Sequence, residues 1–557
     1  MRLRISGPLA CTLALLLSNS VLAAGAAPIK VSHGDPFADC RLGANDFGSV
    51  NYRSAEVEPW IADNPANTDN LIGTWQQDRW SDGGAKGQVA SWSFDGGKTW
   101  GQTPQPFTTC AQPFYETPVL KYERTSDPWV SFGPDGTAYA VSLPFDGDFI
   151  RNGLGAAVSR DGGRTWIQQQ DIDPLVADPN TFNPTDDKQS VTADPLHPGW
   201  AYIVWDQFHD LFVCTAAPSR AAIKTGHDSP KRSARAAVTT QKPCGSTAPT
   251  YFSRTTNFGK TWSKPRPIVP AGVNEQTIGN QIVVNRQTGT LYDFYDYINA
   301  KGENNIEMVF STNRGATWSH RLHVQRLATD EETNPCGCGV TDPRPPFNPL
   351  RTGDIIPSAA VDPNTGQLYV IWQDGRANPD PTATNDMLYA STSAGGGLPG
   401  SWSAPARVNP PNDLAAFTAA ISVNSQSQVG VLYYDFTPPL TSPDVLLTDT
   451  WFASTAGPGL DFGPRKLVGG PFNMTAAPVA AGFFTGDYMG LAAKIGVGEN
   501  QSGEQASSGN NNKGEGTGFV PIFVMTNCTD NSCTAVGTPD GTPTGPDSTD
   551  AFTSGST

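Results

Sequence analysis

The chain has 557 residues, with 37 Lys and Arg against 53 Asp and Glu, and its net charge of −16 repels nucleic acid. Its 57 Gly and 48 Pro, with only 38% hydrophobic residues, suit a turn-rich soluble fold and exclude helical bundles, coiled coils and multi-span membrane proteins.

At the N-terminus, Arg2 and Arg4 precede an apolar run from Leu9 to Leu17, and Val21-Leu22-Ala23 offers small residues for cleavage. This pattern predicts a signal peptide over 1–23 and a secreted protein, extracellular or periplasmic. The run is shorter than the roughly 20 apolar residues a bilayer requires, so no membrane attachment is expected once it is removed. The mature chain keeps Cys40, Cys110, Cys214, Cys244, Cys336, Cys338, Cys528 and Cys533, an even set that reads as disulfides in an oxidising compartment. Nearest-neighbour pairing would join Cys40 to Cys110, Cys214 to Cys244 and Cys528 to Cys533, although spacing alone does not choose. Cross-links are also favoured for Cys336-Gly337-Cys338 over a metal or redox site, because no His lies close by.

One motif, Ser/Thr-x-Asp/Asn-x-Gly-x-Thr-Trp, recurs at Ser93–Trp100, Ser159–Trp166, Thr255–Trp262 and Ser311–Trp318. Its chemistry is that of a hairpin turn: Asp or Asn accepts from turn N–H groups, Gly takes φ > 0 and Trp covers the neighbouring strand. Upstream lie openings made of an apolar strand, a turn and an aromatic-rich strand: Pro59–Trp75, Pro128–Val141, Ser190–Trp205, Gln281–Phe294, Pro357–Trp372, Thr418–Tyr434 and Tyr488–Val524. About four short strands per repeat predict an all-β propeller over 29–535, with seven or six four-stranded blades. Ile29 to Val31 is expected to close the ring against the last sheet. The basic stretch Arg220 to Lys242 reads as a solvated loop, while 496–518 and 537–557 read as a disordered insertion and a disordered tail.

The four turns on this repeat resemble the Asp-box repeats of the sialidase superfamily, and more closely the secreted bacterial exo-α-sialidase-like proteins, over most of Glu56 to Val524. The resemblance implies a site with three arginines for a substrate carboxylate, a tyrosine nucleophile paired with a glutamate, and an aspartate acid/base. The segment Gln77–Gly83 is similar to the loop carrying that aspartate, which falls at Asp82. Elsewhere the chain departs. Val57-Glu58-Pro59 stands where Arg-Ile-Pro is expected, Asn280-Gln281 where Asn-Glu is, Phe417 at the tyrosine and Asp296 at an arginine. Gln cannot act as a carboxylate base and Phe cannot act as a nucleophile.

The starts of the innermost strands carry Glu58, Asp127, Asp187, Asn280, Asp354 and Asp487, which predicts an acidic mouth. Two carboxylates about 8 Å apart repel by ~2 kcal/mol at an effective dielectric near 20. Such a ring calls for a bound cation such as Ca²⁺, for partial protonation, or for neighbouring Lys188, Arg79, Arg124, Arg351 and Arg376. It disfavours a sialate and favours a neutral glycan.

The leading expectation is a secreted, monomeric, sialidase-like glycoside hydrolase. Asp82 would be the general acid, Glu58 or Asp78 the base or nucleophile, and Arg79 a positioning group, with Trp60, Trp80, Trp129 and Tyr434 available to stack on sugars. Asp127, Lys188 and Asp487 would line the substrate site. The alternatives are a non-catalytic carbohydrate- or protein-binding propeller and a polysaccharide lyase.

Overall fold

The computed structural model describes residues 27–181, 183–211, 245–327, 340–344, 348–377, 387–411, 413–438, 440, 445–495, 518–529 and 549–557. The proposed signal peptide, the basic stretch 220–242, the insertion 496–517, and Cys214, Cys244, Cys336, Cys338 and Cys533 all lie outside them.

Alternation of apolar and polar residues, broken by Gly, Pro and Asn turns, gives short strands that pair with their sequence neighbours. The first unit is Asn51–Asp63, Leu71–Trp80, Ala85–Ser93 and Gly101–Pro104. The second is Arg124–Phe132, Ala138–Phe145, Gly155–Ser159 and Ile167–Asp171. The third is Thr185–Ala193, Ala201–Leu211, Thr250–Thr255 and Arg266–Val269. The fourth is Glu275–Val284, Leu291–Ile298, Asn304–Ser311 and Leu322–Arg326. The fifth is Ser358–Val361, Leu368–Asp374, Met387–Ser393 and Ala406–Arg407. The sixth is Phe417–Val423, Val429–Phe436, Leu447–Ser454 and Lys466–Asn473.

The last unit joins the two ends of the chain. Gly490–Ala493 pairs with Phe519–Thr526, which pairs with Thr549–Thr553. Ile29 and Lys30 then pair with Thr553 and Phe552 as its outermost strand. Each first strand packs against the first strand of the next unit, and Gly490–Ala493 packs back against Asn51–Asp63, so the ring is closed. The fold is thus an all-β propeller without a long open strand edge. The core lies between successive units: Ile72, Ala90 and Phe107 of the first meet Val130, Ala138 and Ala157 of the second, and Phe294 and Met308 of the fourth meet Val370 and Trp372 of the fifth.

One expectation is corrected. The span 537–557 was read as a disordered tail from its Gly, Thr and Pro content, yet Thr549–Thr553 is a buried strand, with strands on both sides supplying its hydrogen bonds. Lys30 Nζ lies 2.6 Å from Asp550 Oδ2, tying this strand to the N-terminal one.

The repeated motif forms the turn its chemistry demands. In the first copy Asp95 Oδ1 accepts from Lys98 N (3.0 Å) and Thr99 N (2.9 Å), while Gly97, at φ 90°, donates to Ser93 Oγ (2.9 Å). Burial works against it, but the bonds from Thr99, Ser93 and Lys98 hold the Asp95 carboxyl down to about 2.

Cys40 and Cys110 are joined, as nearest-neighbour pairing anticipated, and Cys528 is also disulfide-bonded. The bridge closes a separation of 70 residues, anchoring the segment before the first unit to the short helix Thr109–Phe114 after it. Replacing Cys40 and Cys110 by Ser is expected to lower unfolding free energy by about 2–5 kcal/mol, read from the denaturant midpoint.

Candidate functional site

The mouth is built by a bulge repeated in five first strands. Register slips between Val57 and Trp60, Ser126 and Trp129, Asp187 and Ser190, Ile278 and Gln281, and Phe417 and Ala420. A residue in each gap has positive φ: Glu58 (54°), Asp127 (52°), Lys188 (48°), Gly279 (71°) and Thr418 (50°). For the four that are not glycine, this conformation costs roughly 1–3 kcal/mol each and persists only where surroundings enforce it.

Much of that enforcement comes from second strands. Gln76, Asp206 and Tyr434 occupy matching positions, one residue past the Trp or Tyr opposite the bulge, and Gln373 likewise follows Trp372 at the end of the fifth unit's second strand. Gln76 Nε2 donates to Ser126 Oγ (3.1 Å) beside the next unit's bulge, and Asp206 Oδ2 accepts from Gly279 N (3.1 Å). Gln373 Oε1 accepts from Thr418 N (2.5 Å). The third and fifth units thereby fix the bulge backbone of the units that follow them.

Three bulged positions, Glu58, Asp127 and Lys188, converge with Asp487. Lys188 Nζ lies 2.8 Å from Asp127 Oδ1, 2.7 Å from Asp487 Oδ2 and 3.4 Å from Glu58 Oε1. Arg351 grips Asp487 twice, through Nε (2.9 Å) and Nη2 (2.5 Å). Glu58 also accepts from Gln76 Nε2 and from Asp487 N (3.4 Å). All four of Glu58, Asp127, Lys188 and Asp487 are buried.

Lys188 touches three carboxyls and Arg351 one of them, and burial acts on each carboxyl against these cations. Burial, partly offset by Lys188 and reinforced by Asp127 and Asp487, pushes the Glu58 carboxyl up to about 8. Burial also raises Asp127, against the pull of Lys188. For Asp487 burial loses: Arg351 and Lys188 hold it well below the usual carboxylate range. Burial would also lower Lys188, but Asp127, Asp487 and Glu58 raise it well above an ordinary ammonium. The cation expected at the mouth is therefore supplied by Lys188 and Arg351, and among the described residues no group of three or more His, Cys, Asp or Glu is arranged for a metal such as Ca²⁺.

Beside the cluster stand Trp60 and Trp129, stacked at 3.4 Å between ring centroids and 22° between planes, with Tyr488 5.4 Å from Trp129 and 6.0 Å from Lys188 Nζ. These rings, with Lys188, Gln189, Asn280, Gln281, Trp372, Gln373, Thr418 and Asp487, line an axial pocket.

Other expected site residues lie elsewhere. Asp82 has both oxygens engaged, Oδ1 by Arg124 Nη1 (2.8 Å) and Oδ2 by Asn45 Nδ2 (2.7 Å), and does not join the Lys188 cluster. Asp78 is buried against Lys86 (3.3 Å) and accepts from Ser54 N (2.7 Å); burial and Asp35 push it up to about 6 against Lys86. Arg79 is buried, donating to Gln76 Oε1 (2.9 Å) with its guanidinium over Phe484, so it supports the mouth from behind. Trp80 is buried beneath Arg124, 4.5 Å from the guanidinium, which corrects its assignment to sugar stacking. Arg376 pairs with Asp374 (2.6 Å) and Asn280 turns to Asp206 (2.6 Å). Phe417 packs on Tyr434 and Phe436.

Tyr434 is likewise corrected. Its OH donates to Val524 O (2.8 Å) and accepts from Val524 N (3.0 Å), out of reach of a ligand. Tyr434→Phe leaves two buried backbone groups without that partner, so a loss of about 1–3 kcal/mol in stability with unchanged KM is expected, measured by denaturation and kinetics.

Sequence reasoning missed Gln76, Gln189, Trp372 and Gln373. A signal was present: Trp75-Gln76, Trp205-Asp206 and Trp372-Gln373 repeat an aromatic followed by a polar residue at the mouth end of the second strand.

No family model matches the chain, and no curated protein does. Solved structures with a similar outline include a GH93 alpha-L-arabinofuranosidase of Fusarium graminearum, at 14% identity and TM-score 0.39, covering 73% of this chain and 92% of that one. A Hadza microbial sialidase matches at 12% identity and TM-score 0.38, covering 84% and 90%. An ulvan lyase of polysaccharide-lyase family PL25 matches at 12% identity and TM-score 0.41, covering 80% and 90%.

Proposed function

We propose that the chain is a secreted glycoside hydrolase acting on neutral glycans, with seven blades around the axial pocket. The observation that carries this reading is the Lys188 cluster, in which Glu58 keeps a proton at neutral pH beside Asp127. The two contacts to Lys188, 2.8 Å and 3.4 Å, limit the separation of Asp127 Oδ1 and Glu58 Oε1 to at most about 6.2 Å. That ceiling admits the roughly 5–5.5 Å of retaining glycosidases and lies below the spacing that leaves room for an inverting water. Glu58 donates its proton to the leaving oxygen as Asp127 bonds to the anomeric carbon, and water, giving its proton back to Glu58, then breaks the Asp127–sugar bond. Lys188 and Asp487 carry the cluster to the pocket wall.

Neutral substrate follows from donor arithmetic. An ammonium has three N–H groups, and Lys188 faces three carboxyls; Arg351 is bidentate on Asp487. A sialate or uronate placed here would meet Asp127 and Asp487 without a cation left to receive it. Gln189 Oε1, buried without a partner among the described residues, suits a sugar hydroxyl, and the rings of Trp60 and Trp129 suit the apolar faces of sugars.

The test is release of reducing sugar from neutral oligosaccharides, sialosides and uronans. Turnover of neutral substrates alone supports the reading; turnover of sialosides overturns it. A second reading, binding without turnover, is favoured by the near-complete burial of the carboxyls, and saturable binding with no product would select it.

A further inference from the structure

At the end of the ring opposite the mouth, two arginines, Arg254 and Arg314, flank Trp200, which lies in the turn between the first two strands of the third unit, and a third, Arg266, lies over Phe252. The Arg254 and Arg314 guanidiniums lie 5.5 and 5.4 Å from the Trp200 ring. Arg254 Nη1 donates to Arg314 O, Arg266 Nη2 to Gly315 O, and Arg314 Nη2 contacts His197 Nε2 at 2.8 Å. Among the described residues none of the three arginines forms an ion pair. The carboxylate beneath them, Asp194, is buried and taken up by its own turn, accepting from Leu196 N (2.8 Å) and Tyr202 OH (2.6 Å).

The turn motif supplies an independent observation. Its first two copies carry Asp95 and Asp161, whereas the two copies at this corner carry Asn257 and Asn313. The amides do the structural work of the acids: Asn257 Oδ1 accepts from Thr261 N (3.0 Å) and Asn313 Oδ1 from Thr317 N (2.8 Å), as Asp161 does from Thr165 N (2.9 Å). Two carboxylates are thus missing from the turns beside the arginines, with the turns intact, in a chain of net charge −16.

We propose that this corner binds the sulfate or carboxylate groups of an anionic polysaccharide, away from the axial pocket. Guanidiniums pre-oriented on an aromatic face present paired donors to such oxyanions, which Lys would not do in the same geometry. The site does not depend on whether the mouth is catalytic.

Binding of the full chain to dextran sulfate, polygalacturonate and uncharged dextran, by calorimetry at increasing salt, tests it. Expected is salt-sensitive binding to one or both anionic polymers, the preferred one showing which oxyanion is read, and none to dextran. Inorganic sulfate competes. Arg254→Ala with Arg314→Ala should weaken binding at least tenfold. Asn257→Asp with Asn313→Asp, which restores the acids the first two turns tolerate, should weaken it similarly without loss of fold. Equal binding to dextran, no binding to either anionic polymer, or wild-type affinity in the Asn→Asp pair overturns the proposal. Glu58→Gln should bind as wild type.

Discussion

Lys188→Met is expected to lower unfolding free energy by about 3–5 kcal/mol at pH 7, the cost of leaving buried charge without its partner. Methionine keeps the length and apolar body of the side chain and faces the same positive φ, so the change isolates the ammonium. Asp487 retains Arg351 (2.5 Å), but Asp127 loses its 2.8 Å contact and Glu58 its 3.4 Å contact. The measurement is the urea midpoint with the slope checked for constancy. Adding Asp127→Asn to Lys188→Met should recover part of the loss, because a neutral amide needs no counter-charge. A midpoint unchanged in Lys188→Met would mean the four groups are not mutually dependent.

This cluster shows how far sequence carries the site. The acidic mouth was legible because Val57-Glu58-Pro59-Trp60 and Ser126-Asp127-Pro128-Trp129 repeat one pattern, and Glu58, Asp127 and Asp487 do meet. The bulge was not legible. One extra residue in a strand turns the side chains after it to other faces. In the third unit Lys188, and not Asp187, therefore takes the place of Glu58 and Asp127; in the fourth, Gly279 does so while Asn280 bonds to Asp206.

Residues singled out by resemblance fared differently, because a similar segment does not fix its partners. Asp82 lies on the turn after the second strand as expected, but Arg124, from the first strand of the next unit, engages its carboxylate. Tyr434 has the chemistry to stack on sugar, yet its position matches Gln76 and Asp206, whose side chains bind neighbouring strands. The Cys40–Cys110 bridge is the one that nearest-neighbour pairing offers, and Ile29 and Lys30 close the ring on the last sheet as expected.

Glu58→Gln is expected to cut kcat on neutral glycosides by about 10²–10⁴-fold, the usual contribution of a positioned proton donor, with KM little changed. In the wild type kcat/KM should fall above pH about 8, where Glu58 loses its proton, and that alkaline limb should be absent from the residual activity of the variant. Stability has the opposite expectation. A carboxyl whose folded-state value is raised from 4.5 to about 8 contributes stability fully present below pH 4.5. That contribution is lost as pH rises through 8, because the unfolded chain gives up the proton first. At about 1.4 kcal/mol per pH unit, the loss is no more than about 5 kcal/mol, with Asp127, which is also raised, sharing part of it. Glutamine has no proton to lose, so Glu58→Gln should flatten the pH dependence of the denaturation midpoint and match or exceed the wild type at pH 9. A variant that retains full kcat removes Glu58 from the chemistry. A wild-type midpoint independent of pH between 5 and 9 would instead deny it the proton on which the proposed reaction depends.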